Sequence, residues 1–345
     1  MMISRLSRAV RTAAGAAVGL GLALSAGMAS AQTPIKFSLD WNFEGPAAPF
    51  LVALDKGYFK EEGLDVTIDT GAGSVEPLNR LASGTYDMAF GDINSLIKFL
   101  DANPATPIKA VYMLYNNPPF SVVGRKSLGV TTPKDLEGKT LGAPAPDGAY
   151  AQWPIFVAEN DIDASKVTIE NVGFPVREPM LVSGQVDAIT GFAFSTYLSV
   201  RRNVEDPEDV TVFLMSDYGV DLYGNTIMVT PAFAEENPDA VKAFLRAFTK
   251  GLKDVVADPE ASLESVLSRN PVAKKDMELE RLTYALENNI VTDEVKANGF
   301  GKVDMDRLTH SIEQLGLTYD FQATPEAAAI FDSSFLPSDE DLAVE

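Results

Sequence analysis

"ASGTYDMAFGD" at residues 82–92 and "VSGQVDAITGF" at residues 182–192 carry one pattern, Ser-Gly-x-x-Asp-x-x-x-Gly, at an offset of one hundred positions. Each copy reads as a helix ended by Ser-Gly and followed by a buried strand that Asp opens and Gly closes, because glycine tolerates the left-handed backbone a helix end needs. The match extends outward. "GLDVTIDTG" (63–71) and "SKVTIENVG" (165–173) are strands at about the same offset, and repetition of strand, helix and spacing together predicts two similar α/β lobes. Asp87 and Asp187 are expected to be structural, capping the helix ends around them.

The surrounding chain alternates short β-branched runs with longer segments of helical spacing, as an α/β fold requires. In the first half "IKFSLD" (35–40), "LDVTIDT" (64–70) and "YDMAFGD" (86–92) read as strands, separated by helices over 48–63 and 74–84. In the second, "KTLGAP" (139–144), "KVTIENV" (166–172) and "VDAITGF" (186–192) are strands and 150–162 and 176–185 are helices. The strand "GNTIMVTP" (224–231) and helices to about residue 316 then follow. The expected organisation is residues 32–121 as the first part of lobe 1, 122–222 as lobe 2, 223–335 as the return to lobe 1 with C-terminal helices, and 336–345 as an acidic tail. The lobes are expected to join through two crossings, near "YNNPPFSVVG" (115–124) and "DYGVDLYGN" (217–225).

Residues 1–31 are read separately. Arg5, Arg8 and Arg11 precede a small apolar run that ends in Ala29-Ser30-Ala31, the pattern of a cleavable signal peptide, so export to a periplasm is expected. With 345 residues, 46% of them hydrophobic, the chain can bury sizeable cores. Its formal net charge of −21 argues against nucleic acid as a partner, since counterion-release binding needs a basic face. No cysteine is present, which excludes disulfides and thiol catalysis, and the single histidine, His310, stands far from the strand-end loops.

"LDWNFEGPAAPFLVALDKGYFKEEGLDVTI", "GAGSVEPLNRLASGTYDMAFGD", "DLEGKTLGAP" and "NPDAVKAFLRAFTKGL" resemble, in order, the solute-binding proteins of ABC importers, in the group for nitrate, taurine, other sulfonates and thiamine pyrimidines. That resemblance implies a type II periplasmic binding protein fold, two lobes each with a mixed central sheet flanked by helices, closing on a small-molecule ligand. It also implies an inner-membrane permease as partner, with no cofactor and no metal, and a monomer is expected.

Open α/β sheets bind ligands beyond the carboxyl ends of their strands, so the strand-end loops hold the candidates. Trp41 and Phe43 offer flat apolar faces, and Asn42 donates and accepts hydrogen bonds. Gly71, Gly73 and Ser74 are expected to leave amides free at a helix N-terminus. Asp92 follows a buried strand and suits either a ligand N–H or a helix cap. Asn116 and Asp147 complete the polar candidates. Phe174, Phe192, Phe194 and Tyr218 are aromatic candidates for an opposing wall.

The first loop, "DWNFEGPAAP", lacks the histidine of the pyrimidine-binding pattern "DWxPNxxHAP", and "GFAFST" lacks its glutamate. The aromatic candidates nevertheless point to a planar heterocyclic or aromatic solute, such as a thiamine-pyrimidine precursor. A taurine-, sulfonate- or nitrate-type anion is the first alternative. A pyrimidine-synthase-like enzyme is the second, disfavoured by the missing cysteines and the single histidine.

Overall fold

The computed structural model describes residues 32–344, so the segment read as a signal peptide lies outside the described residues. The first sheet contains β1 (Thr33–Ser38), β2 (Leu64–Asp69), β3 (Met88–Asp92), β4 (Lys109–Met113) and β10 (Asn225–Val229), in the order β2-β1-β3-β10-β4. The second contains β5 (Phe120–Arg125), β6 (Thr140–Ala143), β7 (Thr168–Asn171), β8 (Ala188–Phe192) and β9 (Val210–Leu214), in the order β7-β6-β8-β5-β9. β1 runs parallel to β2 and β3, and β10 runs antiparallel to β3 and β4. The second sheet repeats this: β6 is parallel to β7 and β8, and β5 is antiparallel to β8 and β9. Both lobes are therefore mixed sheets of one design.

The repeated motif has the same task in each lobe. Gly84 and Gly184 both take left-handed φ values, 68° and 73°, just beyond the helices Val75–Ala82 and Phe174–Val182. Asp87 Oδ2 then accepts the Lys36 amide at 2.8 Å, and Asp187 Oδ2 accepts the Thr140 amide at 2.8 Å. Instead of capping a helix end, each aspartate thus ties the third strand of its repeat to the first.

Several elements differ from the expected boundaries, two of them at the first loop and the helix after it. β1 ends at Ser38, which releases Leu39 and Asp40 into the loop. The helix expected over 48–63 is broken into Ala48–Asp55 and Tyr58–Glu61, because Gly57 between them has a φ of 79°. The first lobe's core forms where the Pro238–Ala257 helix packs on β1 and on the Ala48–Asp55 helix. Phe37 stacks on Phe244 at 5.0 Å and Phe50 meets Phe248 at 4.5 Å, with the two helix phenylalanines one turn apart.

The chain passes between sheets twice, from β4 to β5 and from β9 to β10. The acidic C-terminal segment is held to the body. Its short helix Asp339–Leu342 buries Leu342, whose carbonyl accepts the Phe300 amide at 2.8 Å.

Candidate ligand-binding site

Loops at the ends of β1, β2, β6 and β8, with the start of the Phe174–Val182 helix, converge on a cavity of about 630 Å³, counting its mouth. Of the sequence candidates, Trp41, Asn42, Ser74, Asp147, Phe174 and Phe192 line it, as do Gly73 and Phe194. They come from both lobes. Trp41 meets Phe174 edge to face at 4.7 Å, and Tyr115 meets Phe194 at 5.6 Å, so aromatic contacts cross the cleft on two sides.

The remaining candidates stand elsewhere, each for a physical reason. Phe43 faces a wider outer cleft of about 1580 Å³, and its carbonyl accepts Asn270 Nδ2 at 2.9 Å. Asp92 is fully buried and caps the Ile93–Ala102 helix, accepting the amides of Asn94 and Ser95 at 3.1 and 2.8 Å. Asn116 belongs to the β4–β5 crossing, where its Oδ1 accepts Thr292 Oγ1 at 2.9 Å. Tyr218 packs between Phe156 and Phe213 inside lobe 2. Gly71 lies against the first loop, where a Cβ would approach Leu39 O to 2.2 Å.

The expected free amides of the Gly-rich turn are corrected by the structure. The Gly71 N–H donates to Trp41 O at 3.2 Å, Gly73 to Asp40 O at 2.8 Å, and Ser74 to Pro146 O at 3.1 Å. The last of these bonds joins the two lobes. Gly73, at φ 91°, is required because a Cβ there would lie 2.6 Å from Pro146 O and 3.0 Å from Phe174 Cζ. Gly148 answers it from lobe 2, where a Cβ would reach Ser74 Oγ at 2.6 Å. Small residues let the lobe edges touch.

Asp40 and Glu44, inside the quoted loop but not singled out in it, also line the cavity, with Tyr115, Arg177 and Ser195. Asp40 follows β1 at 8% exposure, and its Oδ2 accepts Asn225 Nδ2 at 2.6 Å. No cation pairs with it among the described residues, and burial, reinforced by Asp92 and Glu44, raises its pKa to about 7. The other charges are matched. Arg177 donates to Glu178 Oε1 through Nε at 3.0 Å and lies 3.9 Å from Asp147, while Thr190 Oγ1 donates to Asp147 at 2.7 Å. Burial raises the Asp147 pKa and Arg177 opposes that rise. Glu44 pairs with Arg281 at 3.1 Å and accepts Ser195 Oγ of lobe 2 at 2.8 Å. Trp41 Nε1 is buried and has no acceptor among the described residues. The cavity thus offers aromatic faces, an unspent indole donor and a carboxyl group without a countercharge.

His310 is no part of it. It is exposed on the Met305–Gly316 helix, 3.8 Å from Glu313. Among the described residues no cluster of His, Cys, Asp or Glu is arranged to hold a metal ion. No described helix is long and apolar enough to cross a membrane.

Paired five-stranded sheets with a cavity between them define a two-lobed solute-binding architecture. The chain belongs to the NMT1/THI5-like family, whose model matches residues 46–262. It is 28% identical over 296 residues to the riboflavin-binding protein RibY of Chloroflexus aurantiacus, covering 84% of this chain and 82% of that one. It is 29% identical over 263 residues to the formylaminopyrimidine-binding protein of Halalkalibacterium halodurans, covering 73% and 77%. Relatives named 4-amino-5-hydroxymethyl-2-methylpyrimidine phosphate synthase also match, one from Aspergillus parasiticus at 26% identity over 284 residues, covering 78% and 82%. In fold, the alkanesulfonate-binding protein SsuA of Xanthomonas axonopodis pv. citri superposes with a TM-score of 0.69 at 12% identity, covering 88% of this chain and 99% of that one.

Proposed function

We propose that this protein is the solute-binding component of an ABC importer, and that it captures a small planar nitrogen heterocycle between its lobes and presents the closed form to a membrane permease. Release to a periplasm after cleavage near residue 31, and action as a monomer, belong to the same reading. The observation that carries the ligand class is Asp40. A buried carboxyl group with one amide partner and no cation is costly to ionise, and a ligand bearing N–H donors or a protonated ring nitrogen relieves that cost. The aromatic walls supply the faces for its ring.

An anion fits this cavity poorly. Asp40, Glu44 and Asp147 line it, and its one arginine, Arg177, is already engaged by Asp147 and Glu178. Catalysis of the kind named for the synthase relatives is disfavoured by the chain's lack of cysteine and by the distance of its one histidine from the cavity. Denaturing the purified protein and identifying the released small molecule by mass spectrometry tests the proposal. A sulfonate or nitrate recovered in stoichiometric amount would refute it.

A further inference from the structure

Most hydrogen bonds of the two crossing segments divide between the lobes, the exceptions being the Val220 amide, which bonds back to Met215 O at 3.1 Å, and Gln314 Nε2, which also reaches Glu159 Oε1 of lobe 2 at 3.5 Å. In the β9–β10 crossing, Asn160 Nδ2 of lobe 2 donates to Tyr218 O at 3.0 Å, and the Gly219 amide donates to Met215 O at the end of β9. From the Gly219 carbonyl onward, apart from the Val220 amide, the chain is held by the Met305–Gly316 helix instead. Gln314 Nε2 donates to Gly219 O at 2.7 Å, and Gln314 Oε1 accepts the Asp221 amide at 2.9 Å. Ser311 Oγ donates to Asp221 O at 3.1 Å, and Arg307 Nη2 donates to Leu222 O at 3.0 Å. Arg307, Ser311 and Gln314 fall at helical spacing on one face. Arg307 also stacks over Tyr223 at 4.1 Å and reaches Asn116 O of the other crossing at 3.2 Å.

The β4–β5 crossing divides at a neighbouring point. The Asn117 amide and side chain donate to Asn289 O and Asn288 O at 3.3 and 3.1 Å, and Asn289 Nδ2 donates to Asn117 O at 3.0 Å. Ile290, next to these partners, is packed in the lobe 1 core. Two residues on, Pro119 O accepts the Ala193 amide of lobe 2 at 2.8 Å. One residue in each crossing therefore has its two sides held by different lobes.

We propose that the lobes turn about Pro118 and Gly219, with the Met305–Gly316 helix acting as a splint that fixes the second crossing to lobe 1 and confines bending to Gly219. Hinges are few residues that absorb large φ/ψ changes. Gly219, with φ 90°, occupies backbone space closed to most side chains, and a Cβ there would meet Glu159 at 3.1 Å. The Val220 amide, which also donates to Met215 O at 3.1 Å, spans the pivot and must yield as it opens. The splint is a conformational device remote from the ligand cavity, and it rests on the lobe closure proposed above.

The chain contains no cysteine, so Asn203→Cys with Lys274→Cys places two unique spin labels on opposite lobes, both facing the outer cleft. Interlobe distances are measured by pulsed electron resonance in the ligand-free protein, so a wrong ligand class leaves the outcome intact. Gln314→Leu is expected to broaden the distance distribution at least twofold and to speed hydrogen exchange of the Asp221 amide. Arg307→Met should act in the same direction, while His310→Gln, exposed on the same helix, leaves the distribution as in the parent. Should Arg307→Met fail to fold, Gln314→Leu decides alone. An unbroadened distribution in folded Gln314→Leu, with Asp221 exchange accelerated, overturns the splint.

Discussion

Asp40 Oδ2 and Asn225 Nδ2 lie 2.6 Å apart, joining the residue that leaves β1 to the first residue of the strand that returns from lobe 2. The contact fixes the carboxyl group at the cavity wall without neutralising it.

Replacing Asp40 with Asn should therefore stabilise the ligand-free protein and weaken ligand binding at least tenfold. Asp40 has a folded pKa of about 7 against 3.8 in the unfolded chain. Between those values the folded state binds the extra proton, so the Asp40 contribution falls as pH rises from about 4 to 7 and is fully lost above 7. The linkage is on the order of 2–4 kcal/mol. Denaturant unfolding at pH 5 and pH 8 should show Asp40→Asn gaining clearly more stability over the parent at pH 8 than at pH 5. Equal differences at the two pH values would mean that Asp40 is not the titrating group.

Trp41→Ala should weaken ligand binding at least tenfold, since stacking and edge contacts contribute on the order of 1 kcal/mol beyond area burial and the buried face is lost as well. Apo unfolding should change little, because the ring meets Phe174 across the cleft instead of filling a lobe core. A large loss of apo stability with unchanged affinity would assign the ring to packing.

Gly73→Ala tests lobe contact. Its Cβ would strike Pro146 O, and the left-handed backbone at φ 91° costs roughly 1–2 kcal/mol for a non-glycine residue. Affinity should drop more than apo stability alone explains, with the loss appearing in the dissociation rate. Parallel losses in both quantities would place the effect in the local turn.

Across the outer cleft, Arg202 of lobe 2 pairs with Glu280 at 2.6 Å on the Lys275–Ala285 helix of lobe 1. These side chains are partly exposed, so the pair is worth at most about 1 kcal/mol and is screened by salt. Arg202→Gln should weaken binding no more than about fivefold, and raising salt should weaken the parent more than the variant. The same salt dependence in both proteins would discharge this pair from closure.

The repeat motif made the two-lobe fold legible because helix end, strand start and glycine turn are local events written in adjacent residues. Asp87 and Asp187 were readable as structural for the same reason. The cavity was partly legible: strand-end loops pointed to Trp41, Ser74, Asp147, Phe174 and Phe192, which line it. Asp40 and Glu44 were hidden in plain view beside Trp41, since what distinguishes them is burial and the identity of distant partners, Asn225 and Ser195. Tyr115 and Arg177 reach the cavity from a crossing segment and a helix interior, where no local pattern marks them. The Gly71–Ser74 amides looked free because their acceptors, Asp40 O and Pro146 O, are brought to them only by the tertiary fold.

The central claim is a cavity that selects donor-bearing planar heterocycles and rejects anions. Calorimetric titration of the ligand-free protein with a small aminopyrimidine, an alkanesulfonate and nitrate, repeated on Asp40→Asn, tests it most directly. The account predicts saturable binding of the aminopyrimidine alone, weakened at least tenfold in Asp40→Asn. Saturable binding of the sulfonate or nitrate, unchanged or strengthened in Asp40→Asn, with none of the aminopyrimidine, would contradict it.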